Sequence, residues 1–422
     1  MIIKSFFLSI RSTIQDISIL ASGAFISQLI LLLTYPLISR LYDEQEYGVF
    51  SVFLSITGVL GLLSSLRFDT AIPLPKQEKS ALALLKIAIC LSFIISTIFF
   101  FIALLLNGNS LPIDLKISGR YLFLVPISVI FMSLLLSLNY LLVRHQDFVM
   151  ISKLRVIQTL TTSSIQIIFG IISISFSGLV FGTLMGQIIA LFYVIKQKFI
   201  SVRKSFGLQL SSIKKEFIEY QRFPKYSLPG SFANASATEL PLIFIASNFS
   251  LTLTGIYGMA FRLLNLPISL ISGSVNQVIL SNIAISENND SFNIRAYIIK
   301  VFLLLLSLSI IFFLIIFFFG PFLFSLFLGE RWIKSGELAT ILIVSISLKF
   351  CISPLSAILN IQRNLKIQFL WQAFFLLSMI LLIAYSYIEN LTFSNFIIYL
   401  VTLESIIYLL MLFLILRYSN KN

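Results

Sequence analysis

One apolar segment of the sequence carries a cation, two amides and two hydroxyls at helical spacing. Arg262 lies in the segment 254–283, and polar residues follow it at intervals of three or four positions. That interval places them on one face of an α-helix. The face consists of Arg262, Asn265, Ser269, Ser272 and Asn276. A guanidinium makes charge-assisted hydrogen bonds to anions, so we expect this face to line a polar cavity. The alternative is an arginine paired structurally with Glu239 or Glu404.

Two further apolar segments carry cations. Lys349 lies in the segment 338–360 on a face with Ser345, Ser353, Ser356 and Asn360, and Pro354 is able to bend that helix. Lys349 is either a second cavity cation or a side chain that extends along its own stem to an interface. Arg155 begins a face in the segment 152–172 that continues through Gln158, Thr162 and Gln166. This face either admits an anionic group or joins neighbouring helices by hydrogen bonds.

Two arginines lie at the ends of apolar segments. Arg40 and Arg67 are each either an entrance residue for an anion or an interfacial anchor. Asp69 follows Arg67 by two residues, so a local ion pair would neutralise the arginine before a ligand arrives.

One carboxylate lies in a polar segment between two prolines. Glu239 is flanked by Pro229 and Pro241 and by several hydroxyl and amide residues. An isolated carboxylate in such a segment is a candidate site for a coupling ion or proton, or else a structural partner of a membrane cation. Glycines recur every four residues at Gly178, Gly182 and Gly186, which indicates close packing of another helix.

The composition identifies the solvent of this chain as mostly lipid. Of 422 residues, 58% are hydrophobic and 11% charged, and the mean hydropathy is +1.01. Windows of about 20 apolar residues each suffice to cross a bilayer. The sequence predicts an interfacial helix over 1–16 and then twelve transmembrane helices. They are 17–39, 47–66, 80–106, 119–142, 152–172, 177–196, 227–249, 254–283, 296–320, 338–360, 366–388 and 395–416.

The basic residues set the expected orientation. With both termini in the cytoplasm, most of the 30 Lys and Arg lie on the cytoplasmic side. Because the basic residues that give the +13 net charge set the membrane orientation, we do not expect nucleic acid as a partner. A basic cytoplasmic linker, 197–226, separates a first six-helix bundle (17–196) from a second (227–422). Tyr-Gly pairs at 47–48 and 257–258 recur about half a chain apart, which supports two parallel repeats.

Other functional elements are not indicated. Cys90 and Cys351 both lie in apolar runs, so we expect no disulfide framework and no metal site. The pattern GxxxxGK[ST] does not occur, so an ATPase module is not expected either.

Four blocks of sequence resemble one transporter family. YPLISRLYDEQEYGVFSVFLSI and LRFDTAIPLPKQ are similar to the opening of O-antigen and capsule repeat-unit flippases. FPKYSLPGSFANASATELPLIFIASNF and GIYGMAFRLLNLPISLISGSVNQV resemble the start of the second bundle in the same family. That family belongs to the multidrug, oligosaccharidyl-lipid and polysaccharide exporter superfamily.

The resemblance implies a fold, a substrate and a location. The fold would be all-α and integral to the membrane, with two six-helix bundles around a central cavity, as in MATE transporters. The substrate would be an oligosaccharide on undecaprenyl pyrophosphate, moved across the bacterial inner membrane by alternating access. Cationic residues facing the cavity would hold the pyrophosphate, with proton or sodium coupling and no cofactor. Partners would be this substrate, membrane lipids and the polysaccharide polymerase machinery.

Two other functions remain open from the residues. A multidrug exporter of the same superfamily would bind cations and place carboxylates in its cavity, which the basic balance disfavours. A membrane glycosyltransferase or polysaccharide polymerase would use an extracytoplasmic carboxylate, for which Asp43, Glu44 and Glu46 are the available cluster.

Overall fold

The computed structural model describes residues 2–108, 123–173, 177–207, 209–286, 294–356 and 365–418. Within these ranges the chain is helical and contains no β-strand. The described part has twelve long helices and one short one, α7. Their bounds are α1 Ile2–Leu41, α2 Glu44–Ser64, α3 Glu78–Gly108, α4 Leu124–Arg144, α5 Phe148–Ile171, α6 Ser177–Phe206, α7 Leu210–Glu219, α8 Leu228–Asn248, α9 Leu251–Ser286, α10 Ile294–Leu328, α11 Ile333–Ile352, α12 Leu365–Ile388 and α13 Phe393–Tyr418.

The twelve long helices correspond one to one with the predicted spans, which confirms the all-α membrane fold. In the described ranges, nine helices are long and apolar enough to cross a membrane. The other three long helices, α5, α8 and α9, carry Arg155, Glu239 and Arg262 respectively. Charged residues in membrane helices are costly and mark functional sites or buried pairs. The three least apolar spans are therefore the first places to look for a site.

The chain forms two compact units, Met1–Thr254 and Gly255–Asn422. In the first unit α1 packs on α5, α5 on α6, and α2 on both α4 and α8. In the second unit α11 packs on both α10 and α13. The boundary between the units falls near the start of α9, so α8 lies with the first unit. The division into bundles of residues 17–196 and 227–422 stays a prediction.

Burial inside the protein differs strongly among the helices. The apolar window of α11 is 67% buried, whereas those of α10 and α12 are each only 17% buried. Large side chains such as Leu303, Phe318 and Leu381 are exposed on the latter two helices. A helix that is apolar on its exposed side requires lipid as its solvent. Helices α10 and α12 are thus the outer helices of the second unit.

Helix α6 approaches α5 closely through its glycines. A Cβ on Gly182 would collide with the Gln166 side chain, and one on Gly186 with the Thr162 hydroxyl. The predicted role of the glycine repeat in packing is confirmed. Because small residues let two backbones come together, side chains then bond across the contact. The Gln166 Nε2 donates to the Leu179 carbonyl at 2.9 Å.

The linker 197–226 is largely helical, a feature that its basic composition did not predict. Helix α6 continues to Phe206 with non-helical dihedrals at Lys198, whose ammonium lies 3.0 Å from Asp147. Helix α7 then packs on α3. Ile213, Tyr220 and Phe223 contact the hydrophobic core of the first unit. Apolar side chains at these positions therefore fix the linker to the first unit.

The N-terminal segment is helical from Ile2, and it continues into α1 without interruption. Its predicted place at the membrane interface stays a prediction.

Candidate functional site

In the second unit, the polar faces predicted for α9 and α11 meet at Lys349. Its Nζ donates to the Asn265 Oδ1 at 3.0 Å and lies 5.4 Å from the centroid of the Phe261 ring. Phe261 in turn stacks on Tyr257, with ring centroids 5.7 Å apart. An amide oxygen and an aromatic face both stabilise an ammonium away from water. The lysine is therefore held by helix α9 and does not need to reach an interface.

Helix α13 adds a carboxylate to this group. Glu404 interacts electrostatically with Lys349 and with the Ser345 side chain, which is itself fully buried on α11. A carboxylate and an ammonium together leave a small net charge, which lowers the cost of placing both within a membrane helix bundle. We call Asn265, Ser345, Lys349 and Glu404 the α9–α11–α13 polar cluster.

Arg262 lies one residue from Phe261 and is half-buried. Its Nε is buried and has no hydrogen-bond partner among the described residues. In the described ranges, Glu404, the carboxylate of the second unit that was predicted as its structural partner, interacts with Lys349. A buried guanidinium N–H without a partner is costly and suits a ligand that supplies an acceptor. The side chain of Asn276, predicted for the same face, lies outside the described residues.

In the first unit, Glu239 on α8 is bound by a serine of α2. The Ser55 Oγ donates to the Glu239 Oε2 at 2.5 Å. The hydroxyls of Ser51 and Ser236, one turn away on each helix, are buried without a partner among the described residues. A carboxylate that accepts from one hydroxyl, on helices that carry two more unpaired hydroxyls one turn away, offers oxygen atoms for a proton or a small hard cation. Glu239 and the nearby serine hydroxyls are therefore candidate oxygen ligands for a coupling ion.

Arg67 and Asp69 lie in the turn between α2 and α3. The Asp69 side chain is 0% exposed, and its Oδ1 accepts a hydrogen bond from the Ser65 hydroxyl at 2.9 Å. Arg67 attracts Asp69 electrostatically, although no ion pair within 4.0 Å joins them in the described part. Burial raises the pKa of the Asp69 carboxyl. Hydrogen bonds from the Ser65 hydroxyl and from the backbone N–H groups of Asp69 and Thr70, together with the Arg67 charge, oppose that rise. Arg67 and Asp69 therefore attract each other as predicted, but they do not form a contact ion pair.

The remaining predicted arginines lie apart from these groups. Arg40 is exposed in the last turn of α1, where a cation complements the helix dipole. Arg155 is exposed on α5, while Gln166 and Thr162 on the same helix make the contacts with α6 described above. Contacts between α5 and α6 thus account for Thr162 and Gln166 on that face. A ligand-binding role of Arg155 stays a prediction.

The acidic cluster at 43–46 has a structural task. The Asp43 Oδ1 accepts from the Glu46 backbone N–H at 2.7 Å, and the Glu46 Oε2 accepts from the Asp43 N–H at 3.1 Å. This reciprocal arrangement caps the start of α2. Helix capping therefore explains Asp43 and Glu46 without a catalytic role.

Comparison with solved structures finds the same fold in transporters. The lipid II flippase MurJ, in an inward closed conformation, has a TM-score of 0.69 and 18% identity over 96% of this chain and 87% of MurJ. A multidrug resistance MATE family transporter of the MOP superfamily, inward-facing, has a TM-score of 0.66 and 13% identity over 95% and 96% of the two chains. A MOP superfamily transporter from Pyrococcus furiosus, described as having a binding pocket of reverse polarity, has a TM-score of 0.64 and 13% identity, with 96% of each chain covered.

These likenesses define the class: a multi-pass membrane protein with the fold of MOP superfamily transporters. No curated protein sequence matches the chain. A family model described as polysaccharide biosynthesis protein matches residues 37–337, which is more than half of the chain. The chain therefore belongs to the polysaccharide biosynthesis protein family.

Proposed function

We propose that the protein is a flippase for undecaprenyl-pyrophosphate-linked oligosaccharide repeat units. It would move them from the cytoplasmic to the periplasmic leaflet of the bacterial inner membrane, for O-antigen or capsule synthesis. The observation that carries the proposal is the α9–α11–α13 polar cluster beside Arg262. Membership of a polysaccharide biosynthesis family and the transporter fold support it. Fold alone would not select a substrate.

The residues of the cluster have distinct roles in this proposal. Arg262 and Lys349 bind the pyrophosphate, because cations compensate its charge when it leaves the aqueous headgroup region. Asn265 and Asn276 bind sugar hydroxyls, and Arg40, Arg67 and Arg155 meet the headgroup at the ends of the pathway. Glu404 acts as counter-ion of Lys349 while the site holds no substrate. Substrate phosphate then competes with Glu404 for the ammonium.

Transport would follow alternating access between two six-helix bundles, with both termini and the linker 197–226 in the cytoplasm. Glu239, bound by the Ser55 hydroxyl, is the site at which a proton or sodium ion couples to the cycle. The polymerase machinery that consumes the repeat unit is the expected partner on the periplasmic side.

Removal of the protein tests the proposal in cells. We expect loss of surface polysaccharide and accumulation of lipid-linked repeat units on the inner leaflet. Normal polysaccharide in a strain without any second flippase would overturn the assignment. An alkaline-phosphatase fusion within 197–226 should be inactive, because that enzyme folds only outside the cytoplasm. An active fusion would reverse the orientation.

A multidrug exporter is the second candidate, because Glu239 is a carboxylate bound by a hydroxyl and would suit a cationic solute. Export of a lipophilic cation such as rhodamine 6G from proteoliposomes, together with unchanged lipid-linked repeat units in the deletion strain, would favour that function over the flippase.

A further inference from the structure

The turn between α2 and α3 holds two consecutive residues in the left-handed backbone region. Leu66 has a φ of 47° and Arg67 a φ of 65°. Residues with side chains adopt this region rarely, at a cost of order 1–3 kcal/mol each. Such a conformation persists only where the surrounding structure imposes it. The contacts of this turn therefore indicate what the strained conformation is for.

The turn is held from two sides. Phe68 is fully buried, and its ring stacks on Phe217 of the linker helix α7 with centroids 5.0 Å apart. The segment that follows is held by Arg144 of α4, whose guanidinium donates to the Pro75 carbonyl at 2.5 Å and to Glu78 at 2.9 Å. Packing and hydrogen bonds to α4 and α7 thus fix the turn in its strained conformation.

The same turn brings together two charged groups that are each incompletely satisfied. The Asp69 Oδ2 and the Arg67 Nε are both buried and have no hydrogen-bond partner among the described residues. An ionised carboxylate that is fully buried with one oxygen unpaired is unfavourable, as is a buried guanidinium N–H. Each group would be satisfied by a different addition: Asp69 by a proton, and Arg67 by an anion.

The titratable and charged groups around Asp69 are few. Tyr140 of α4 interacts with both Asp69 and Arg67. Near helix α7, Glu216, Glu219 and Arg144 of α4 all act electrostatically on Tyr220, the residue that follows α7. Helix α3 faces the turn through the apolar core residues Ala81, Leu84 and Leu85. Arg67 is thus the cation that acts on Asp69 in this part of the structure.

We propose that Asp69 is a protonatable counter-charge to Arg67, and that its protonation strengthens binding of the phosphate groups of the lipid carrier to the Arg67 guanidinium. This inference rests on the proposed function, since it places headgroup entry at this turn. An anion on Arg67 repels the Asp69 carboxylate and favours its neutral form. By linkage, a proton on Asp69 strengthens anion binding by the same factor. Headgroup binding would then take up a proton.

The direct test measures pyrophosphate binding to the full-length protein in nanodiscs as a function of pH. The wild type should bind more weakly as the pH rises and Asp69 ionises. Asp69→Asn should bind about fivefold or more tightly than the wild type at neutral pH, with a flatter pH profile. Arg67→Ala should lose the pH-dependent component. Asp147→Asn is the matched control, since Asp147 pairs with Lys198, and it should behave as the wild type.

Proton uptake provides a second test, and its sulfate arm uses the wild type alone. Isothermal titration calorimetry in buffers of different ionisation enthalpy should show that the wild type takes up more protons per pyrophosphate than Asp69→Asn or Arg67→Ala. Sulfate, which keeps its charge from about pH 5 to pH 8, should show the same pH-dependent affinity in the wild type. Sulfate affinity that is independent of pH would overturn the inference, as would equal proton uptake by all variants.

The stability of the protein gives a third measurement. Because the folded-state pKa of Asp69 is raised, its unfavourable contribution is absent at low pH and grows as the pH rises from about 3.9, the value in an unfolded chain. Asp69→Asn should therefore unfold at a higher temperature than the wild type at neutral pH, and the difference should vanish on acidification. A difference that is constant with pH would contradict a titrating Asp69.

The inference and the proposed function fail separately. Proton-linked pyrophosphate binding without any transport of lipid-linked glycan would retain the anion site and reject the flippase. Normal glycan transport with pH-independent anion binding would retain the flippase and reject the role of Asp69.

Discussion

The two compact units hold their intramembrane charges in different ways. In the second unit, Lys349 on α11 is held by the Asn265 amide, the Phe261 ring and Glu404, each from a neighbouring helix. In the first unit, Glu239 on α8 is held by the Ser55 hydroxyl of α2. The second unit thus contributes cations suited to an anionic headgroup, and the first a carboxylate suited to a proton or cation. This contrast motivates the proposal that the anion site of Arg262 and Lys349 lies in the second unit and the coupling site of Glu239 in the first, which also carries the proposed headgroup entry at Arg67.

The largest expected effect is at Arg262. Arg262→Ala should abolish transport of lipid-linked oligosaccharide in proteoliposomes while the protein stays folded, because a buried anion would lose its planar bidentate partner. Arg262→Lys should retain part of the activity, since the charge survives. Arg331→Ala, which changes an exposed arginine, is the matched control and should transport normally. Normal transport by Arg262→Ala would show that Arg262 does not bind the substrate.

At Glu239 we expect a smaller effect on transport. At a fixed ion gradient, Glu239→Gln should lose most of the gradient-driven rate, whereas Glu239→Asp should keep much of it, because only aspartate retains a titratable carboxylate. Ser55→Ala, which removes the donor but not the carboxylate, should fall between them. If both glutamate variants transport at the parental rate, the first unit does not hold the coupling site.

The interaction between Lys349 and Glu404 should contribute measurably to the free energy of unfolding. Lys349→Met leaves a carboxylate without its cation and should lower the free energy of unfolding by about 1–3 kcal/mol, since partial exposure reduces the cost of a broken buried pair. The double variant Lys349→Met/Glu404→Gln should recover most of that loss. Thermal unfolding of purified protein in detergent measures both. Additive effects of the two substitutions would show that the charges are not coupled.

Helix packing in the first unit should affect stability about as much as loss of the Lys349 charge does in the second. Gly186→Ala would place a Cβ against the Thr162 hydroxyl and 2.9 Å from the Gln158 carbonyl, so it should destabilise the first unit by about 1–3 kcal/mol. Gly58→Ala, which meets nothing within 4 Å, should be neutral or stabilise by about 0.5–1 kcal/mol. Both are measured by thermal unfolding. Equal stability of the two variants would contradict the close contact of α5 and α6.

Part of the candidate site could be predicted from the sequence. The three- and four-residue spacing around Arg262 and Lys349 placed Asn265 and Lys349 on polar faces, and these faces meet in the structure. Ser55 was not predicted as a partner of Glu239, and Glu404 was predicted as a structural partner of Arg262, not of Lys349. No local signal relates these residues to partners 55 to 184 positions away. The strained conformation at 66–67 likewise has no signature in residue type, since neither residue is a glycine.

The sequence by itself determined the number of long helices, their approximate ends and the helices that carry charge. The reason is that a bilayer requires about 20 apolar residues per crossing and satisfies no unpaired backbone group, so the local pattern fixes each helix. Only the tertiary structure decided which charges are partnered. Lys349 gains Glu404, and Glu239 gains Ser55. Asp69 is fully buried, and its neighbour Phe68 stacks on Phe217 of the linker helix α7. These contacts depend on packing between helices distant in the chain, where side-chain shape and desolvation determine the neighbours.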